Sequence, residues 1–429
     1  MDWQGWFSLA LAGGALLLMS TGRFAPHLVM MGVLVVLSVS GVLSPDQALA
    51  GFSNSGLMTV AAMFVVAAGV HHSGGVELLV THLLRHPRSV RSAQARIAVP
   101  VSLLSGFLNN TPVVATMIPA IHSWSDRIGI APSKLMIPLS YSAILGGTLT
   151  LVGTSTNLVV NGQYQRLTGA EGFSIFSITS VGLPVAVIGI AAILLVMPRL
   201  LPDHGPRIAL SPTAGDGDAL VSDIGAEPAN APERAWWSWA ILLGMVVLAA
   251  VGTLSMLNAA FLGAALMILT GCCSPRQAQR AIDVPVLLTI GASFALGAAL
   301  ADTGAAGYLA ERIMGLSHGH LLLSIFLVYF AVSVLTEVVT NNAAAVLVIP
   351  VVLSMTTVMG VAPEPFVIAV MMAASASFAT PIGYQTNMMV LGPGGYRFSD
   401  FLRVGLPMNL FIGLVTVAVI AVVYGINPW

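Results

Sequence analysis

Two stretches of this chain set the same polar tip into an apolar run. Ser105-Gly-Phe-Leu-Asn-Asn-Thr-Pro-Val-Val-Ala-Thr-Met-Ile-Pro119 carries Asn109-Asn110-Thr111, and Thr336-Glu-Val-Val-Thr-Asn-Asn-Ala-Ala-Ala-Val-Leu-Val-Ile-Pro350 carries Thr340-Asn341-Asn342. Asn110 stands nine residues before Pro119, and Asn341 nine before Pro350. Paired asparagines beside a proline interrupt a helix, and broken backbone at membrane depth is tolerated only where it is buried in protein or lines a cavity. Both stretches, 97–120 and 321–350, are therefore expected to be re-entrant hairpins whose tips face each other. The bland alternative is an interhelical hydrogen-bond patch, but packing contacts of that kind need not recur at matched positions.

Composition supplies the solvent. Only 8% of the 429 residues are charged and 57% are hydrophobic, against about 25% charged in a soluble domain. The chain is read as an all-α polytopic membrane protein in contact with the lipid bilayer. A net charge of −1 leaves no footprint for nucleic acid. Cys272 and Cys273 are adjacent, which suits neither an ordinary disulfide nor a zinc site. No His-Glu-x-x-His motif and no paired intramembrane aspartates are present, so no enzyme is expected.

The similarity extends beyond the hairpins. Ser44-Pro45 recurs at Ser274-Pro275, Ser73-Gly74 at Thr303-Gly304, and Asn157 at Asn387, each 230 residues on. Val181-Gly-Leu-Pro184 returns as Val404-Gly-Leu-Pro407. A constant offset implies an internal duplication. The expected architecture is two inverted repeats, each five transmembrane helices plus one re-entrant hairpin and a broken helix. The first repeat spans 1–201 and the second 236–429. Residues 202–235 read as a flexible cytoplasmic linker, and 72–94 as a basic surface segment. With the N-terminus outside, 14 of the 16 basic residues fall in inside loops and only Arg166 and Arg312 outside, as the positive-inside rule prefers. Both termini are then outside, in a cell inner (plasma) membrane.

A second pair of motifs follows the hairpins. Gly153-Thr-Ser-Thr-Asn157 and Thr380-Pro-Ile-Gly-Tyr-Gln-Thr-Asn387 each interrupt a helix, with Gly153 matched to Gly383. Four interruptions expose four helix N-termini, each worth roughly +0.5 charge. They suit a divalent anion in a chain with no basic residue in its apolar segments. Freed carbonyls and amide or hydroxyl oxygens suit a hard cation such as sodium. Glu337 is the one acid inside an apolar stretch, where ionisation costs roughly 2.5–3.5 kcal/mol at a bilayer centre. Proton coupling and simple hydrogen bonding beside the second hairpin both remain open for it. His71 and His72, at an inside helix end, read as an interfacial pair or a pH sensor.

These paired motifs resemble those of the divalent anion:sodium symporter family (solute carrier family 13) within the ion transporter superfamily, across both halves. The resemblance implies a secondary active transporter, sodium-coupled, working as an elevator-type homodimer on a small divalent anion. Sulfate is slightly favoured over a di- or tricarboxylate. It implies Asn110, Thr111, Asn341, Asn342, Gln385 and Thr386 at the substrate. It implies one sodium near Ser105, Asn109, Asn110 and Gly153, and another near Thr336, Thr340, Asn341 and Gly383. Sodium ions are the coupling ions, with no other cofactor or metal. The family's hairpin tips read Ser-Asn-Thr, so Asn109 and Asn342 depart from its pattern. The rival reading is a proton-coupled anion carrier or a sodium/proton antiporter of the same superfamily, with Glu337 as the proton site.

Overall fold

The computed structural model describes residues 1–21, 23–76, 87–203 and 232–426. Residues 77–86 of the basic surface segment expected at 72–94, and most of the linker expected at 202–235, lie outside them.

All regular structure among the described residues is helical. The first series is α1 (Trp3–Ser20), α2 (Pro26–Val39), α3 (Pro45–Leu49), α4 (Ser55–His72), α5 (Val90–Ser105), α6 (Asn110–Ile128), α7 (Met136–Gly147), α8 (Ser155–Thr168), α9 (Thr179–Leu195) and the short α10 (Met197–Leu200). The second is α11 (Pro232–Ala250), α12 (Met256–Leu269), α13 (Pro275–Ala281), α14 (Val284–Asp302), α15 (Ala305–Ser317), α16 (Leu321–Thr336), α17 (Asn341–Met359), α18 (Glu364–Ser375), α19 (Gln385–Leu391) and α20 (Phe398–Val423).

The repeated motifs prove to be local devices used twice. Ser44 and Ser274 each close a capping box with the glutamine three residues on, Gln47 and Gln277, and each is followed by a proline at the first turn. The Val-Gly-Leu-Pro motif lets a helix touch backbone. A Cβ at Gly182 would collide with the Thr148 carbonyl oxygen, and one at Gly405 with that of Phe378. The two contacted residues are themselves 230 apart, so α9 and α20 make the same approach to the two interrupted segments.

Both hairpins run further than their prolines suggest. α6 continues past Pro119 and α17 past Pro350. A proline removes one backbone donor and crowds the preceding turn, and here the helix persists through it. The helices stop instead at Gly129 (φ 67°) and Gly360 (φ 65°), left-handed C-caps that glycine adopts without strain.

The interrupted spans occupy the centre. All twelve residues of α7 are buried, as are all residues of α18 after Glu364. Leu183 and Val187 on α9, Leu243 and Val247 on α11, and Leu406, Leu410 and Leu414 on α20 are exposed. Apolar faces of this kind are a liability in water and are ordinary against lipid tails. The matched tryptophans Trp6 and Trp236 are exposed near the starts of α1 and α11, as interfacial rings are. Among the described residues, four helical stretches are long and apolar enough to cross a membrane unaided: Pro45–His72, Val284–Asp302, Asn341–Met359 and Phe398–Val423. That is fewer than the sequence suggests: the two breaks shorten some apolar stretches, and others, such as Pro26–Val39, Thr179–Leu195 and Met256–Leu269, form helices of under 18 residues. The helical stretches 110–128 and 132–147 meet at a bend of 116°.

Segments expected on one side of the membrane do meet. Gln94 Nε2 donates to the Lys134 carbonyl (2.8 Å), Lys134 Nζ to that of Leu201 (2.6 Å), and Tyr396 Oη to that of Ser133 (2.6 Å). At the other end, Tyr164, Glu171, Glu364 and Tyr424 line one depression.

Candidate functional site: a cross-braced centre between two interrupted helix pairs

Each hairpin is two helices joined by four residues, 106–109 and 337–340. Each interrupted span breaks at 148–154 and 376–384. The breaks are built alike. Asn157 Nδ2 donates to the carbonyls of Gly147 (3.3 Å) and Thr150 (3.1 Å), and Asn387 Nδ2 to those of Ser377 (3.0 Å) and Thr380 (3.1 Å). The hydroxyls of Thr150 and Thr380 donate to the carbonyls of Gly106 and Glu337, so each break is tied to its hairpin. The duplicated asparagines thus satisfy carbonyls that the lost helical turn would orphan.

The hairpin of one half touches the break of the other. Thr111 Oγ1 donates to Gln385 Oε1 (2.9 Å), and Thr156 Oγ1 donates to Asn342 Oδ1 (3.0 Å). Asn110 Nδ2 donates to Tyr384 Oη (2.6 Å). These contacts bring the N-terminus of α6 to that of α19, and the N-terminus of α8 to that of α17. No side chain caps α6, α8 or α19, whereas Thr340 caps α17 by accepting the Ala343 N–H (3.4 Å). Uncapped N-terminal N–H groups are anion donors.

Helix C-termini gather beside these tips. A Cβ on Gly153 would lie 2.6 Å from the Gly147 carbonyl oxygen and 2.8 Å from that of Ser105, the ends of α7 and α5. One on Gly147 would lie 3.1 Å from Asn110 Oδ1. Ser105 Oγ and Asn110 Oδ1 are buried without a hydrogen-bond partner. Two carbonyls and two orphaned oxygens around glycines are ligands of the kind a hard cation takes. In the second half, Thr336 Oγ1 donates to Asn341 Oδ1 (2.6 Å), with the Ala374 carbonyl oxygen 3.1 Å away.

Of the residues expected at the site, Ser105, Asn110 and Gly153 converge, as do Thr336 and Asn341. Thr111, Asn342 and Gln385 make the cross-half contacts. Asn109 is the residue before α6 and makes no side-chain cap. Thr340 is exposed and bonded to its own helix. Thr386 is fully buried and shares a hydrogen bond with Ser140 (2.8 Å), facing α7. Gly383 lies beside Glu337. Glu337 accepts from the backbone N–H of Ala379 (3.0 Å) and Thr380 (2.8 Å) and from Asn409 Nδ2 (2.6 Å). His71 Nδ1 lies 3.3 Å from Thr116 Oγ1, and His72 Nδ1 3.4 Å from Gln277 Nε2.

Three groups escaped the sequence reading. Tyr384 was legible only as the residue after Gly383, matched to Thr154. Ser140 and Tyr141, which bond Asn387 Oδ1 (2.7 Å) and the Phe378 carbonyl (2.6 Å), carry no local signal. Neither does Asn409, which accepts the Phe378 N–H (2.9 Å) and donates to Glu337.

Known proteins share the fold and parts of the sequence. The YdaH transporter of Alcanivorax borkumensis superposes with a TM-score of 0.55 at 15% identity, over 97% of this chain and 99% of that one. An uncharacterised transporter of Synechocystis is 27% identical over 92% of this chain and 93% of its own. Sodium/sulfate cotransporter 2 of Chlamydomonas reinhardtii is 42% identical, over 48% of this chain and 24% of its own. A sodium-dependent dicarboxylate transporter of Staphylococcus saprophyticus is 23% identical over 92% of this chain and 81% of its own. The citrate transporter family model matches residues 15–360 and again 259–429, and the chain belongs to that family of multi-pass membrane transporters.

Proposed function

We propose that this protein is a sodium-coupled symporter of a small divalent oxyanion, sulfate before di- or tricarboxylates. The observation that carries the reading is the set of uncapped helix N-termini held together across the halves with no basic side chain among them. Two of them, on the full-length helices α6 and α8, contribute roughly +0.5 charge each, and the amides and hydroxyls of Asn110, Thr111, Thr156, Asn342, Tyr384 and Gln385 supply neutral donors or acceptors. Direct bonds of 2.6–3.0 Å already span the gap, which favours a compact tetrahedral ion over a long dicarboxylate. The 42% identity to a sodium/sulfate cotransporter over about half the chain points the same way.

In this reading the oxyanion sits between the tips and is bound by Asn110, Thr111, Asn341, Asn342 and Gln385, with Thr386 braced behind them. One sodium takes Ser105, Asn110 and Gly153, and the other Thr336, Asn341 and Gly383, with Asn109 and Thr340 shaping the hairpin ends. Cations lower the cost of bringing the anion into the membrane interior, and the anion lowers theirs, which couples the two fluxes. The repeats 1–201 and 236–429 are inverted, joined by the cytoplasmic linker 202–235. They move as an elevator in a homodimer of a cell inner membrane, with both termini outside. The rival proton-coupled reading is disfavoured by Glu337, whose two oxygens both already serve as acceptors of N–H donors.

Purified protein in liposomes tests this. Labelled sulfate accumulates under an inward sodium gradient, and unlabelled succinate or citrate competes more weakly. Asn110→Ala or Asn341→Ala abolishes uptake while the protein remains folded. Uptake driven by a proton gradient at zero sodium overturns the reading.

A further inference from the structure

The helices that follow the two breaks are held very differently. α8 begins at the site, where Thr156 meets Asn342, and runs for 14 residues toward the outer face. There it is fastened to α4, which carries none of the site residues. Asn54 caps α4 by accepting the Gly56 N–H (2.8 Å) and donates its own Nδ2 to the Gly162 carbonyl of α8 (3.0 Å). Ser55 Oγ donates to Gln165 Oε1 (3.3 Å), and Arg166 Nη2 lies 3.4 Å from the Gln47 carbonyl oxygen. The backbones touch as well. A Cβ on Gly56 would lie 2.5 Å from the Leu158 carbonyl oxygen, and one on Gly162 would collide with Asn54 Oδ1. Beside this contact Gln163 is 1% exposed, and its amide packs onto Gly297 of α14.

The second half lacks the polar parts of this fastening. α19, the counterpart of α8, is seven residues long and stops at Leu391. Gly392, at the position of Gly162, has open space where a Cβ would stand. Val284 stands at the position of Asn54 and is 53% exposed, and Gly395 and Tyr396 stand at those of Gln165 and Arg166. Tyr396 turns instead to α7, where it accepts the Ile137 N–H (3.0 Å). With the repeats inverted, matched elements of the two halves lie at opposite faces of the membrane. The fastening at the outer face then has no such counterpart at the inner one.

We propose that Asn54, Ser55 and the Gly56–Gly162 contact form a one-sided latch that holds the outer face shut, so that the resting protein keeps its site turned inward. This rests on the inverted, elevator-type reading above, in which the elements bearing the site shift against α4 and α14. Opening to the outside parts α8 from α4 and breaks these bonds. The second half has no matching latch at the inner face to offset the loss. The outward-open state is then a minority, and the apparent affinity for a ligand offered outside falls with its population. Weakening the latch raises that population. It lowers the KM for sulfate offered outside and does not lower the KM for sulfate offered inside.

The test uses the full-length protein in cells without their own sulfate uptake and in inverted vesicles made from them, with Cys272→Ala and Cys273→Ala in place. Gln163→Cys is the reporter, because α14 covers that side chain while the latch is shut. A membrane-impermeant thiol reagent outside the cells labels it slowly. Adding Asn54→Ser, which removes one hydrogen bond between α4 and α8, speeds labelling about fivefold. Serine still caps α4 but is too short to reach Gly162. Gly162→Ala presses a methyl group against Asn54 and speeds labelling likewise. With Gln163 intact, Asn54→Ser lowers the KM for external sulfate about fivefold, and the KM in inverted vesicles does not fall. A Ser55→Cys, Gln165→Cys pair joined by a short bis-thiosulfonate stops uptake, and dithiothreitol restores it. Thermal melting confirms that each variant is folded, and if Asn54→Ser is not, Gly162→Ala decides. Labelling no faster in the folded latch variants overturns the proposal. Full uptake by the cross-linked protein also overturns it, because α8 and α4 would then never part. Faster labelling without any sodium-driven sulfate uptake supports the latch and removes symport.

Discussion

Replacing Tyr384 by Phe removes one oxygen from the centre of the site and leaves the ring in place. That oxygen accepts the Asn110 amide at 2.6 Å. A hydroxyl that accepts keeps its own proton to give, and the proposed anion lies at the adjacent N-termini. A hydrogen bond to a charged group is worth about 1.5–3 kcal/mol. At about 1.4 kcal/mol per factor of ten, Tyr384→Phe raises KM for sulfate about 10- to 150-fold. The ring is nearly buried, at 8% exposure, so the neighbouring backbone should hold its place. The assay is initial-rate uptake into liposomes over a range of sulfate at saturating sodium, paired with a melting curve. A purely bracing hydroxyl would lower the melting temperature and leave KM alone. KM within about twofold of wild type, in a protein that still transports, refutes the assignment of Tyr384 to the anion.

Two further outcomes follow from packing and burial. Gly405→Ala drives a methyl into the Phe378 carbonyl, and overpacking of this kind costs typically about 1–3 kcal/mol; thermal unfolding in detergent should come at a lower temperature, and an unchanged melt would mean that α20 does not hold that break. Cys272 and Cys273 are each 2% exposed, and burial pushes the Cys273 thiol up to about 11. Because the thiolate is the reactive form, folded protein at neutral pH should label slowly with a maleimide and quickly once melted, and rapid labelling of the native protein would contradict the packing of the α12–α13 turn.

The sequence announced the repeated parts of this structure because repetition makes a local signal visible. Asn110 with Asn341, Asn157 with Asn387, and Gly153 with Gly383 were legible as pairs, and the structure gives Asn157 and Asn387 matched partners. The hairpin ends were less legible, because Pro119 and Pro350 look like stops and are carried inside helices by their surroundings. Thr386 looked like an anion ligand by its place in the motif, yet its hydroxyl faces Ser140. Ser140, Tyr141, Tyr384 and Asn409 occur once each, without an echo of the same residue type at the matched position. Their roles exist only through partners on other elements, and no spacing rule reaches that far along the chain.

The contacts between α7 and the second break have a consequence for how such a chain changes over generations. Ser140 and Tyr141 hold Thr386, Asn387 and Phe378, while the matched positions on α18 are Val370 and Met371, which have no polar group to offer. The two halves are therefore not interchangeable parts. Two copies of either half would lack the polar clasp, the tyrosine or the carboxylate that the other supplies. Substitutions in α7 are therefore judged by what stands some 240 residues later, and a change on one side of this clasp calls for a fitting partner on the other.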